Sequence, residues 1–102
     1  MAFKYKEKYG NYINGKFVEP IDGQFFDNIT PINGKVLCKI ARSNEKDINS
    51  ALDAAHAAKD NWGITSVTER SNMLLQIAQI IEDNLPMLAE AETWDNGNSI
   101  RE

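Results

Sequence analysis

From Pro31 to Leu52 the chain reads PINGKVLCKIARSNEKDINSAL, and its apolar period changes within that stretch. Up to Ala41, the residues Val36, Cys38 and Ile40 alternate with Leu37, Lys39 and Ala41. That period of two sends alternate side chains to opposite faces of a strand, so Cys38 is expected to face a core beside two aliphatic neighbours. Beyond Ser43, Ile48, Ala51, Leu52, Ala55, Ala58 and Trp62 recur three and four apart, the spacing of one helix face. Asn44, with Asp47 three residues on, supplies the start signal of that helix. The switch divides the chain into a strand-and-turn segment, residues 1–43, and a helical segment, residues 44–102.

Working outward, YINGKFV at residues 12–18 places Asn14-Gly15 between β-prone flanks, and Asn33-Gly34 repeats the device. Asn-Gly readily takes the positive φ angles of a type I′ turn, so each pair predicts a two-residue hairpin. Asp22-Gly23 is a further turn signal between them, followed by Phe25 and Phe26. On the helical side, Gly63 ends the first helix. Ser66 opens a second, with Glu69 positioned to complete a capping box. Met73, Leu74, Ile77, Ile80 and Ile81 are its expected buried face. Pro86 breaks that helix near Asn84, LPMLAEAETW restarts it, and Asn96-Gly97 supplies a left-handed stop. The expected class is α+β, two β-hairpins followed by two to three helices.

A chain of 102 residues suffices for one small domain, which buries only about 60–65% of the surface its unfolded chain exposes. Hydrophobic residues at 42% and charged residues at 25% are ordinary globular usage, which excludes disordered and fibrous classes. The net charge of −4, with basic residues scattered, argues against a nucleic-acid partner. A lone cysteine cannot form an internal disulfide, and MAFKYKEKYG carries charges where a secretion signal needs an apolar run. No apolar run approaches the ~18 residues of a membrane span. A cytoplasmic location is expected, and the glycosylation-like Asn28-Ile29-Thr30 reads as chance.

Catalytic constellations are nearly absent from these residues. Glycines at positions 10, 15, 23, 34, 63 and 97 form neither G-x-G-x-x-G nor a Walker A loop. Cys38 is the only candidate thiolate and His56 the only imidazole, yet one reads as a core strand residue and the other as a partly exposed helix residue. A zinc site lacks partners. Glu82 and Asp83, and Glu90 and Glu92, fall off the apolar stripe and read as a solvated face, while Trp62 and Trp94 mark helix ends. Asp95 stands out, because a carboxylate in the last turn of a helix opposes the dipole by ~0.3–1 kcal/mol. Its compensation is either Arg101 or a bound cation.

Taken in order, YINGKFVEP, FFDNITPINGKVLCKI, NEKDINSALDAAHAAKDNW and TERSNMLLQIAQIIEDNLPMLAEAETWDNG resemble the N-terminal fifth of an NAD(P)-dependent aldehyde dehydrogenase. The resemblance spans essentially the whole chain, and E-T-W-D-N-G is its most specific part. Asn98 departs from the lysine usual after D-N-G, and Trp94, where leucine is commoner, resembles the acetaldehyde-type bacterial branch.

The resemblance implies part of an α/β, Rossmann-type fold, an incomplete N-terminal portion of the cofactor-binding domain, with the chain ending inside that domain. The family's chemistry needs a cysteine thiolate, an oxyanion hole, hydride transfer to nicotinamide and a glutamate-activated water. Those residues lie downstream of this stretch, and neither Cys38 nor any other residue here matches them. NAD or NADP is implied for the complete enzyme with an aldehyde substrate, and no cofactor is expected to bind this chain. The resemblance also implies a monovalent-cation site using the Asp95 carboxylate and the Ile29 carbonyl. A chain ending inside such a domain should leave apolar helix and strand surface uncovered, so a homo-oligomer is expected, its interface built largely from the helical half. Two functions stand side by side: a segment of an aldehyde-oxidising dehydrogenase, inactive alone, and a free-standing, non-catalytic interaction module that self-associates.

Overall fold

The structure is a computed structural model and describes residues 4–99. Asn14 and Gly15 take φ of 54° and 78°, and the expected tight hairpin forms. β2 (Asn11–Ile13) pairs antiparallel with β3 (Lys16–Val18), and Tyr12 stands opposite Phe17 with ring centroids 4.9 Å apart. Before it runs β1 (Lys8–Tyr9). Gly10 joins β1 to β2, and a Cβ there would sit 2.4 Å from the Val18 carbonyl oxygen, so the crossing admits no side chain.

β4 (Phe25–Ile29) and β5 (Val36–Ala41) form the second antiparallel hairpin. Its connection corrects the two-residue reading of Asn33-Gly34. The loop runs over residues 30–35, closed by Gly34 N–H donating to Thr30 O and Thr30 N–H to Lys35 O, both at 3.0 Å. Gly34 takes φ 74°, whereas Asn33 is not in the left-handed region and accepts from Lys35 N–H through its side chain. Pro31 lacks an N–H and cannot extend the ladder, so the strand stops short of the expected turn. The register also slips: Asn28 pairs with Cys38 but Ile29 with Val36, leaving Leu37 as the extra residue of a bulge. The alternation breaks there, which is why Cys38 is buried while Val36, expected beside it, is 52% exposed. β1 joins the outer edge of β5 in parallel, giving the order β1-β5-β4. A two-residue strand carries no periodicity, and the sequence gives no sign of it.

α1 (Glu45–Gly63) starts as expected at Asn44, whose Oδ1 accepts from Lys46 N–H while its own N–H donates to Asp47 Oδ2. Asp47 does more than the motif requires. It is buried, and its Oδ1 accepts from Ile21 N–H at 2.8 Å, tying the helix to the Pro20–Gly23 turn. α2 (Val67–Asp83) begins at Ser66, whose hydroxyl accepts from Glu69 N–H. The reciprocal bond from the Glu69 carboxylate is not made, so this cap is half of the expected box. Arg70 joins the two helices: its Nη2 donates to Trp62 O at 2.7 Å and its guanidinium lies over the Trp62 ring. That places a cation at the negative end of α1. The break at Asn84 and Pro86 appears as expected, and α3 (Leu85–Asn96) ends at Gly97 with φ 80°.

The expected buried stripes are the main correction. On α2, Leu74 is 67% and Ile77 52% exposed, and Met73, Ile80 and Ile81 are exposed too; on α1 so are Ile48, Leu52 and Trp62. Among the described residues the main neighbour of α2 is α3 rather than a strand, and Cys38 is the one buried hydrophobic. The chain exposes 8126 Å², against the ~5,800 Å² of a compact monomer of its mass. Its radius of gyration of 17.1 Å exceeds the ~13 Å of a compact domain of this length. The apolar faces of the helices are left largely uncovered among the described residues.

Candidate functional site: the seam between the third helix and the sheet

The last turn of any helix leaves carbonyls without partners, and α3 has no basic residue there. Two hydroxyls from the strand segment bond to carbonyls near this end, and the Thr30 hydroxyl meets one of the orphans. Tyr5 donates to Ala91 O and Thr30 donates to Trp94 O, the latter from a side chain that is 1% exposed. Thr30 Oγ in turn accepts from Ile32 N–H at 3.2 Å. Gly97 closes the helix with its N–H on Thr93 O at 2.8 Å. A Cβ at Gly97 would meet Pro31 Cγ at 3.1 Å, so helix end and hairpin loop are in contact.

Asp95, the residue singled out for its unfavourable place on the helix, lies in this seam. Its Oδ1 accepts from Asn28 Nδ2 at 2.9 Å. Asn28 immediately precedes Ile29 at the bulge, so the residue bonded to Asp95 and the residue whose carbonyl is the other expected ligand are neighbours in sequence. The donor set, one carboxylate and a backbone carbonyl, consists of hard oxygens and suits a hard cation. Arg101, the alternative partner for Asp95, lies outside the described residues. Among those residues, Asp95 belongs to neither ion pair, Lys39–Asp27 or Lys46–Asp22.

Cys38 forms the floor of the seam. Burial pushes its thiol up from the ordinary range; a 3.9 Å hydrogen bond from Asn28 Nδ2 opposes this, and the Asp95 charge adds to it. Tyr5 is likewise raised, first by burial and then by the charge of Asp95. A thiol held protonated is the reverse of an activated nucleophile. His56 is exposed on α1, and the structure does not join it to Cys38. Glu82, Asp83 and Glu92 are exposed as expected, and no cluster of three metal-binding side chains occurs among the described residues. Tyr5, Asn28 and Thr30 were not legible as site residues, because each acts across more than 60 positions or through a bulge.

A second concavity, about 470 Å³ and open, lies between the Tyr12 to Gly15 turn and Ala51, Ala54 and Ala58 of α1. Its lining carries one titratable side chain, the Tyr12 phenol, with no second titratable group beside it.

The profile of the aldehyde dehydrogenase family matches residues 17–102. An acetaldehyde dehydrogenase of Pseudomonas aeruginosa is 58% identical over 98 residues, covering 96% of this chain and 19% of the relative. Aldehyde dehydrogenase B of Escherichia coli strain K12 is 52% identical over 99 residues, covering 97% and 19%. Among solved structures, the NAD+ complex of an aldehyde dehydrogenase from Bacillus cereus aligns with a TM-score of 0.89 at 32% identity, covering 93% of this chain and 20% of that one. The chain thus spans about a fifth of the length of these relatives.

Proposed function

The chain belongs to the aldehyde dehydrogenase family, and from that membership we propose that it serves as one structural segment of an enzyme oxidising an aldehyde to its carboxylic acid with NAD or NADP. The observation that carries this reading is the coverage: nearly all of this chain matches, and it matches a fifth of each relative. The segment itself contributes scaffold. Its only thiol is buried and held protonated, and its glycines make no phosphate-binding loop. The likeness to the Pseudomonas aeruginosa protein favours a short-chain aldehyde, acetaldehyde first. A cytoplasmic location belongs to the same reading; among the described residues no helix is long and apolar enough to cross a membrane.

Within the segment, Asp95 and the Ile29 carbonyl hold a monovalent cation. The bound ion supplies positive charge where α3 ends on a carboxylate and has no basic residue in its last turn. The uncovered helix faces support a homo-oligomer, with the helical half forming most of the contact.

Two measurements test the proposal. NADH formation with acetaldehyde is expected to be absent for the isolated chain; turnover that disappears in Cys38→Ala would overturn the scaffold role. In the second, this chain replaces the matching stretch of the Pseudomonas aeruginosa relative. The chimera is expected to oxidise acetaldehyde, and a cooperatively folded but inactive chimera counts against the reading.

A further inference from the structure

We propose that Asn28 is the positioning residue of the Asp95 carboxylate, tying up Oδ1 so that Oδ2 alone is offered to the cation; this rests on the cation reading above. The amide of Asn28 has two hydrogens and the structure commits both. One goes to Asp95 Oδ1 at 2.9 Å, the other to Cys38 Sγ at 3.9 Å. Cys38 is 3% exposed and set in the middle of β5, so it is a fixed anchor. An amide held at one end by a buried sulfur can point its other N–H in one direction, and that direction selects the rotamer of Asp95. The bulge contributes as well. It falls between Asn28 and Ile29, so the side chain that aims the carboxylate and the carbonyl that shares the ion are consecutive residues on a kinked strand.

This arrangement has a chemical consequence. Asn28 is neutral, so it orients Asp95 without cancelling its charge, and α3 adds no basic residue in its last turn. A carboxylate with one oxygen occupied binds in monodentate fashion. One negative charge and neutral carbonyls suit an alkali cation, whereas calcium sites gather more carboxylates, often bidentate. Partners that orient a ligand are typically worth a factor of ten or more in metal affinity.

Thermal unfolding of the full chain in KCl, NaCl and choline chloride at equal ionic strength reads the site directly, because an ion bound only by the folded state raises Tm with its concentration. The native sequence is expected to be stabilised by potassium or sodium over choline. In Asn28→Leu the apparent ion affinity is expected to fall about tenfold or more. Asn28→Asp, nearly isosteric, keeps the proposal testable if the leucine variant does not fold. A second carboxylate there is expected to weaken the preference for alkali ions and introduce a response to MgCl2 or CaCl2. An ion-specific rise in Tm that is the same in all three proteins overturns the role of Asn28 and leaves the cation reading standing. No ion-specific rise in the native sequence overturns both.

Discussion

Three buried side chains, Thr30, Cys38 and Asp47, hold together segments distant in sequence. Thr30 and Asp47 spend their oxygens on backbone groups that would otherwise be orphaned, a Trp94 carbonyl and the Ile21 and Asn44 N–H groups. Leaving such a group without a partner costs ~1–3 kcal/mol. Cys38 adds a pH dependence. Its thiol is raised in the folded chain above the ordinary value near 9.0, chiefly by burial, with the Asp95 carboxylate and Tyr5 hydroxyl nearby. The folded state therefore keeps its proton where the unfolded state has lost it. The stability this contributes is complete below the unfolded value and is lost as pH rises through the folded one. Tyr5 acts in the same direction at higher pH. Urea unfolding from pH 7 to 10 is expected to show a loss of stability above pH 9 that is shallower in Cys38→Ala. Equal slopes for the two proteins would show that the buried thiol is not the group responsible.

Among the elements, α2 is the one whose pattern and environment disagree. Its period is helical, its cap forms at Ser66, and it ends where Pro86 requires, yet its aliphatic stripe meets little protein. Emptying a buried isoleucine site costs ~2–5 kcal/mol. Ile77 is half exposed, so Ile77→Ala in the isolated chain is expected to cost about 1 kcal/mol or less. Ser66→Ala is expected to cost about as much, ~1 kcal/mol, since it removes the N-terminal side-chain cap of α2. Urea denaturation of the isolated chain and of the chimera separates the cases. Ile77→Ala should cost several times more in the chimera if the rest of that enzyme covers the stripe, and an unchanged small cost would show that the stripe faces solvent there too.

For the molecule as a whole the decisive quantity is surface. The excess over a compact monomer, ~2,300 Å² by the mass scaling, matches the area buried in large, permanent interfaces rather than transient contacts. Alone in solution, the chain is expected to cover part of that area by self-association. Sedimentation equilibrium over a wide concentration range should show mass rising from one chain to two or more. A monomer that stays compact and unfolds cooperatively at every concentration would remove the case for a homo-oligomer.

The local elements were determined by the sequence itself, because each depends on residues within one or two turns. Asn14-Gly15 sets a hairpin, Asn44 with Asp47 starts α1, Pro86 divides α2 from α3, and Gly97 ends α3. The quoted order of motifs also carried the family, since such motifs are contiguous. Tertiary structure decided the rest. The parallel pairing of β1 with β5 rests on a two-residue strand, too short to show a period. The bulge that buries Cys38 without Val36 depends on where Pro31 stops the ladder. The Asn28 to Asp95 bond closes a separation of 67 residues that no local pattern encodes. Helical period marks which face of α2 is apolar; what that face packs against depends on atoms outside the helix, and the described residues leave most of it uncovered.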